Sequence, residues 1–160
     1  MDEEERQLPD DPCDHITDIT GWITKITVME GDTVEPGQDL IRIDEKQIRP
    51  RYNNALSQVR SSEANLRKVQ SQLDRTKSLF SQNLISKQEL EQIEASYQIA
   101  LSQSEQANAN LLSAEDELSK TQLTAPKYGI VTSITKEEGE MAVGGMFNPG
   151  VLMTIADLSH

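Results

Sequence analysis

Apolar residues follow two different periods along this chain. Over residues 19–43 and 123–157, short apolar segments are punctuated by Thr, Gly and Pro, a pattern that predicts short β-strands joined by tight turns. Over residues 51–122, Gly and Pro are absent and apolar residues recur every seven positions, which predicts coiled-coil helices. The chain is therefore expected to be an α+β protein in which a helical segment interrupts a small β module.

The seven-residue period forms two runs, each with a second position three residues further on. Small residues are frequent at that second position in both runs, which allows helices to approach closely. The first run is Tyr52, Val59, Leu66, Leu73 and Phe80, followed by Ala55, Ser62, Val69 and Thr76. The second run is Leu90, Tyr97, Ser104, Leu111 and Leu118, followed by Ile93, Ala100, Ala107, Ala114 and Thr121.

A break between the runs divides the segment into two helices. Residues 82–85 interrupt the heptads, and Ser86 followed by Glu89 is a capping box that marks the start of a helix. Ile85 and Leu90 are spaced as the hydrophobic staple across that cap.

The helices are expected to form an antiparallel hairpin, because the connection between them is short. Pro50 suits the first turn of a helix and Pro126 ends the second helical region. The predicted helices run from about 50–81 and 86–122.

The β segments on either side of the hairpin share a sequence pattern. Gly21 and Gly31 keep the spacing of Gly129 and Gly139. Four further pairs coincide: Thr24 with Thr132, Ile26 with Ile134, Thr27 with Thr135, and Glu30 with Glu138. Neither half has enough apolar residues to fold alone, so the two halves are expected to close one small β-sandwich with the hairpin inserted between them. The two halves resemble those of lipoyl and biotinyl carrier domains, which implies a lipoyl-like β-sandwich.

Charge adds an N-terminal leader to this organisation. The net charge is −12, and more than half of it lies in residues 1–18. We expect residues 1–18 to be disordered or derived from an expression vector. The remaining predicted domains are the first half of the sandwich (19–46), the hairpin (47–122) and the second half (123–160).

The sequence offers little that could support catalysis. His15 and His160 lie near the ends, Cys13 is the single cysteine, and no Ser/His/Asp or metal-ligand spacing is present. A strongly acidic chain also argues against nucleic-acid binding. We therefore expect a non-enzymatic protein without a metal or cofactor.

Two sites are left open by this reasoning. Lys46 lies where the two halves join, so it could be a modified lysine of a carrier domain or an ordinary solvated one. The hairpin turn combines Arg75, Leu79 and Ser86 with Leu84 and Ile85. Capping, helix stapling and solvation could account for these residues, but an apolar turn with one Arg is also typical of a docking contact.

The order half-module, hairpin, half-module resembles the periplasmic adaptor proteins, or HlyD-like membrane fusion proteins, of tripartite efflux and type I secretion systems. Residues 21–38 and 40–44 carry the resemblance in the first half, and 123–126 leading to 129–131 carry it in the second. The resemblance implies a protein that bridges an inner-membrane exporter to a TolC-like outer-membrane channel.

In that family the hairpin turn contacts the channel through an Arg, a Leu and a Ser, and the spacing of Arg75, Leu79 and Ser86 matches. The resemblance also implies periplasmic location, an inner-membrane anchor in the full-length protein, and a ring of about six copies. Residues 148–158 resemble adaptors of ABC-type exporters more than those of proton-driven RND exporters. The chain is expected to be a soluble fragment of such an adaptor.

Two other classes stay open on the residues alone. A lipoyl- or biotinyl-type carrier domain with a helical insert would need a modified Lys46. A structural coiled-coil module would only dimerise, and its hairpin turn would have no partner.

Overall fold

A computed structural model describes residues 13–16, 19–144 and 150–157. The chain divides into two units, one built from Met1–Lys46 with Glu117–His160 and the other from Gln47–Asp116. The first unit holds the β-strands and the second holds most of the two long helices, so the predicted α+β architecture is confirmed.

The strands of the first unit form two antiparallel four-stranded sheets, with orders β1-β8-β6-β3 and β5-β4-β2-β7. Each sheet contains two neighbouring strands from one half, flanked by strands of the other half. The strands are β1 Cys13–Ile16, β2 Gly21–Ile26, β3 Thr33–Val34, β4 Asp39–Ile43, β5 Gln122–Thr124, β6 Gly129–Ile134, β7 Met141–Ala142 and β8 Val151–Asp157.

Equivalent residues of the two halves make equivalent backbone hydrogen bonds across the unit. The Gly31 N–H donates to the Val131 carbonyl at 2.8 Å, and the Gly139 N–H donates to the Ile23 carbonyl at 2.8 Å. Gly31 and Gly139 have φ of +93° and +89°, which only glycine adopts without strain. The sequence repeat is therefore a two-fold relation within one domain.

Two repeated glutamates join the halves by a reciprocal pair of hydrogen bonds. The Ile134 N–H donates to Glu30 Oε1 at 2.9 Å, and the Ile26 N–H donates to Glu138 Oε1 at 2.8 Å. Each carboxylate thus accepts from a strand of the opposite half. This exchange explains why both copies of the pattern carry Glu at this position.

The core lies between the two sheets and draws its large side chains from both halves. Leu40 and its equivalent Leu152 are fully buried. The remaining buried residues are Ile23, Val28, Val34, Ile41, Ile43, Ala125, Val131, Ala142, Met153 and Ile155. Neither half could bury these side chains without the other, as the sequence predicted.

Two segments differ from their predictions. Residues 13–16 lie within the predicted disordered leader but form β1, which pairs with β8 from Cys13 opposite Ile155. Residues 1–12 and 17–18 of that leader lie outside the described part of the chain, as do 145–149 and 158–160 of the predicted second half.

The second helix also ends earlier than predicted. It stops at Ser119, because the Thr121 hydroxyl donates to the Leu118 carbonyl at 2.7 Å and Gln122 enters β5 opposite Arg42.

In the second unit, α1 (Ile48–Ser81) and α2 (Lys87–Ser119) form the hairpin. All their buried residues occupy predicted seam positions: Val59, Ser62, Leu73 and Thr76 on α1, and Ala100, Ser104 and Ala107 on α2. One groove is lined by both helices, with Ser62 and Asn65 of α1 near Gln103 and Ala107 of α2. Phe80 differs, because the last predicted seam residue of α1 is 37% exposed.

Asp39 at the start of β4 gives a pH-dependent prediction for the β unit. Its carboxylate accepts hydrogen bonds from Arg42 at 2.8 Å and from Gln122, and these bonds lower the pKa of Asp39 below its ordinary value of 3.8. Any stability from this carboxylate is therefore present above pH 3.8 and is lost as the pH falls through the lowered pKa.

We expect Arg42→Ala to raise the pKa of Asp39 toward 3.8, as an NMR titration of its carboxyl carbon would show. An unchanged midpoint would mean that Arg42 does not stabilise the charged form.

Candidate docking site at the hairpin turn

The turn between α1 and α2 is closed by backbone hydrogen bonds around Asn83. The Leu84 N–H donates to the Leu79 carbonyl at 3.0 Å, and the Asn83 N–H donates to the Phe80 carbonyl at 2.9 Å. Asn83 has φ of +59°, and these bonds make the turn a Schellman motif with Asn at the left-handed position. The turn is therefore a defined structure that fixes where the neighbouring side chains lie.

Ser86 caps the second helix, as the sequence predicted. Its Oγ accepts a hydrogen bond from the Glu89 N–H at 3.2 Å, which satisfies one of the free donors at the helix start. The return bond of a capping box is not formed, since the Glu89 carboxylate accepts no hydrogen bond from Ser86 within the described residues. Ser86 stays exposed, so its hydroxyl can also face a partner.

Apolar surface is concentrated at this turn. Leu84 is 65% exposed and Phe80 is 37% exposed, while Leu79 and Ile85 are half-buried. Leucine is ordinarily buried when the fold provides a core, and this turn provides little. The exposed apolar side chains therefore suit a contact with another protein.

Arg75 lies on the same face of α1 as Leu79, one helical turn earlier. The neighbouring Asp74 carboxylate accepts a hydrogen bond from the Gln70 side-chain amide at 2.9 Å and forms no ion pair with Arg75. Among the described residues, Arg75 has no hydrogen-bond or ion-pair partner. Its guanidinium is free to bind a carboxylate or carbonyl of a partner.

The structure thus brings Arg75, Leu79, Leu84, Ile85 and Ser86 to one end of the hairpin. Sequence reasoning treated Phe80 as a seam residue and so missed its exposure. The signal that could have revealed this exposure is Asn83, three residues later. Asn readily adopts the left-handed conformation that ends a helix, and the seam ends with the helix.

Lys46, the alternative site, lies two residues before α1. Its backbone N–H donates to Asp44 Oδ1 at 3.0 Å, and its Nζ lies 3.9 Å from Asp44 Oδ2 with the side chain 88% exposed. Intact mass decides the carrier hypothesis, because a lipoyl or biotinyl adduct on Lys46 would contradict the adaptor interpretation.

Within residues 13–16, 19–144 and 150–157, no helix is long and apolar enough to cross a membrane. In the same ranges, no three His, Cys, Asp or Glu side chains group closely enough to hold a metal ion.

The fold is shared with solved structures of membrane fusion proteins. MacA from Actinobacillus actinomycetemcomitans is similar over 94% of this chain and 52% of its own, with a TM-score of 0.74 and 24% identity. A MacA-MexA chimera with the Pseudomonas aeruginosa MexA α-hairpin matches over 93% and 48%, with a TM-score of 0.64 and 30% identity. ZneB from Cupriavidus metallidurans matches over 92% and 61%, with a TM-score of 0.64 and 24% identity.

The chain thus spans between 48% and 61% of the length of these three proteins. Comparison with curated protein sequences found no match. The family model for the barrel-sandwich hybrid domain of RND membrane fusion proteins matches residues 16–154. The chain therefore belongs to the RND membrane fusion proteins, the adaptor family of tripartite efflux pumps.

Proposed function

We propose that this chain is the channel-facing part of a periplasmic adaptor. The hairpin turn docks on a TolC-like outer-membrane channel through Arg75, Leu79 and Ser86, with Leu84 and Ile85 in support. The adaptor bridges that channel to an inner-membrane exporter and catalyses no reaction.

The observation that carries this proposal is the pairing of exposed apolar side chains with an unpartnered Arg. Leu84 and Phe80 are exposed at the turn, and Arg75, in the last two turns of α1, makes no ion pair among the described residues. Arg and aromatic residues are enriched at the centres of protein interfaces, where they supply much of the binding energy. The Schellman turn holds these residues in place before binding, which lowers the entropic cost of docking.

The remaining partner assignments rest on the family. We propose that the full-length protein is anchored to the inner membrane and assembles into a ring of about six copies. The matching family model is that of RND membrane fusion proteins, whereas the closing segment 148–158 resembles adaptors of ABC-type exporters. We propose the ABC-type exporter from that segment alone, of which 148–149 and 158 lie outside the described residues.

Arg75→Asp is expected to weaken binding to the channel about tenfold or more. The substitution replaces an unpaired guanidinium with a carboxylate, which would repel the carboxylate or carbonyl oxygens that Arg75 is proposed to bind. Binding is measured by crosslinking or pull-down with a TolC-like channel from the same organism. Lys77→Asp is the matched control, with the same charge change two residues along on another face of α1. If Arg75→Asp and Lys77→Asp lost channel binding equally, the loss would come from the change in net charge and not from a docking contact of Arg75.

Ser86→Arg is expected to reduce channel binding more than Ser86→Ala. Both substitutions remove the cap on α2, at a cost of about 1 kcal/mol, but only Arg adds bulk to the docking surface. The same pull-down separates the two effects, since helix fraying alone would weaken both variants equally.

Leu79→Asp tests the alternative of a module that only dimerises. The docking proposal expects this variant to lose channel binding, because a charge would replace an apolar contact at the turn. Unchanged binding of the channel by Leu79→Asp would favour the structural coiled coil.

A further inference from the structure

A groove lies between the two helices at the middle of the hairpin. It encloses about 500 Å³, which is within the size range of sites for small ligands. Two small seam residues, Ser62 and Ala107, are buried and form its floor. The Ser62 hydroxyl is already satisfied, since it donates to the Val59 carbonyl at 2.9 Å. The groove exists because these small seam residues leave the longer side chains beside them as walls.

The walls of this groove consist mainly of side-chain amides. Gln58 and Asn65 lie two helical turns apart on α1, and Gln103 and Asn110 have the same spacing on α2, with Gln106 between them. Residues seven apart lie on the same face of a helix. The five amides therefore line one cavity from both sides.

These five amides are not used inside the chain. None of them forms a side-chain hydrogen bond with any residue that the structure describes. Other amides of the same helices are paired. The Gln70 amide donates to Asp74 Oδ1 at 2.9 Å, and the Asn108 amide donates to the Ser104 carbonyl at 3.0 Å. The groove thus gathers donors and acceptors that are available to a ligand.

The lining of the groove is uncharged. α1 carries nine charged side chains and α2 carries eight, yet none of the described residues that line the groove is charged. Anionic ligands are usually held by Arg or Lys, and cationic ligands by carboxylates. The groove therefore favours a neutral ligand that is rich in hydroxyl or amide groups.

A second groove on α2 continues the first and adds an apolar side chain. Gln103 and Gln106 line both grooves, and the second encloses about 290 Å³ beside Ile99, which is 60% exposed. From Ile99 to Asn110 the lining extends for about 16 Å along α2. A long, open site of this kind suits an extended chain better than a compact molecule.

We propose that the two grooves bind a neutral N-acetylated oligosaccharide. Its hydroxyl groups donate and accept hydrogen bonds, as the amides of the groove do, so each amide can form paired bonds with it. Its acetamido groups are themselves amides, and their methyl groups pack on Ile99. The grooves are lined by the middle of each helix and are separate from the hairpin turn, so the inference does not depend on channel docking.

The test is a titration of the isotope-labelled chain with chitotetraose, followed by NMR through the side-chain NH2 resonances of Asn and Gln. We expect the resonances of the groove amides to shift, while those of Gln88 and Gln92 near the start of α2 stay in place. Cellotetraose is the matched probe, because it has hydroxyl groups but no acetamido groups. It is expected to bind about tenfold or more weakly.

A pair of double variants tests which amides bind the sugar. Gln103→Ala with Gln106→Ala removes the two amides that both grooves share, and is expected to weaken chitotetraose binding about tenfold or more. Gln88→Ala with Gln92→Ala is the matched control, since it removes the same groups from the same helix outside the grooves. It is expected to change binding less than twofold. Far-UV circular dichroism verifies that both variants keep their helices.

The proposal is overturned if chitotetraose shifts no resonance of the groove amides. Equal binding of cellotetraose, or equal losses in the two double variants, would overturn it as well. Groove resonances that shift with protein concentration alone, without sugar, would assign the groove to a contact between copies and would also overturn it. Leu79→Asp should keep sugar binding while losing the channel, so failure of this inference is distinguishable from failure of the docking proposal.

Discussion

Gly129→Ala is expected to lower the free energy of unfolding of the β unit by about 3 kcal/mol, a large effect for one methyl group. A Cβ at this position would clash with the Ala156 backbone carbonyl and lie 2.6 Å from Ile155 Cγ2. The carbonyl belongs to the neighbouring strand β8 and cannot rotate away, so the two strands would have to separate. The change is measured by denaturant unfolding followed through the fluorescence of Trp22, the single Trp in the sequence.

The equivalent glycine of the first half should tolerate the same change better. A Cβ at Gly21 would lie 2.5 Å from Ile43 Cγ2, a side-chain atom that can move, and 4.0 Å from the nearest backbone atom, the Asp44 oxygen. Gly150→Ala is the control, since its nearest neighbour is the Val143 oxygen at 3.9 Å. If Gly129→Ala and Gly150→Ala lowered the free energy of unfolding equally, the close approach of β6 and β8 would not explain the glycine at position 129.

Glu30→Ala and Glu138→Ala are each expected to lower the free energy of unfolding by about 1 kcal/mol, and the double variant by about 2 kcal/mol. Each substitution removes the acceptor of a strand N–H, that of Ile134 or of Ile26, in the opposite half. Because the bonds are solvent-exposed, water replaces part of each interaction and keeps the effect below that of a buried ion.

Glu137→Ala is the matched control for this pair. It removes the same charge next to Glu138, but its side chain makes no hydrogen bond among the described residues. The denaturant midpoint of Glu137→Ala should therefore stay near that of the unaltered chain. Comparable losses from Glu137→Ala and Glu138→Ala would attribute the effect to net charge.

The parts of the fold that depend on local period were predictable from the sequence. The buried seam residues, the cap at Ser86 and the turns at Gly31 and Gly139 all follow from spacing over a few residues. Such local signals suffice to predict the hairpin, because a short turn between two helices makes them pack antiparallel.

Pairings between distant residues were not predictable. The repeat showed that Glu30 and Glu138 are equivalent, but not that each binds the other half, because that requires the interleaved strand order. β1 was missed because the surrounding leader is acidic and its four residues, Cys13–Ile16, have little pattern of their own. At the candidate docking site, the turn residues were proposed from sequence and stay a prediction. The sequence could not show that Asp74 accepts a hydrogen bond from Gln70 and forms no ion pair with Arg75.

The interleaved strands also determine the order in which this chain can fold during synthesis. β1 to β4 emerge first, but the strands that complete both sheets and cover Leu40 and Ile41 emerge only after the whole hairpin. Local helices form in microseconds, whereas sheet pairing must wait for distant partners. Completion of the sheets is therefore expected to follow closure of the hairpin, which brings Ile43 next to Thr121. The Ile43 N–H then donates to the Thr121 carbonyl at 2.7 Å, where the two halves of the sheet join.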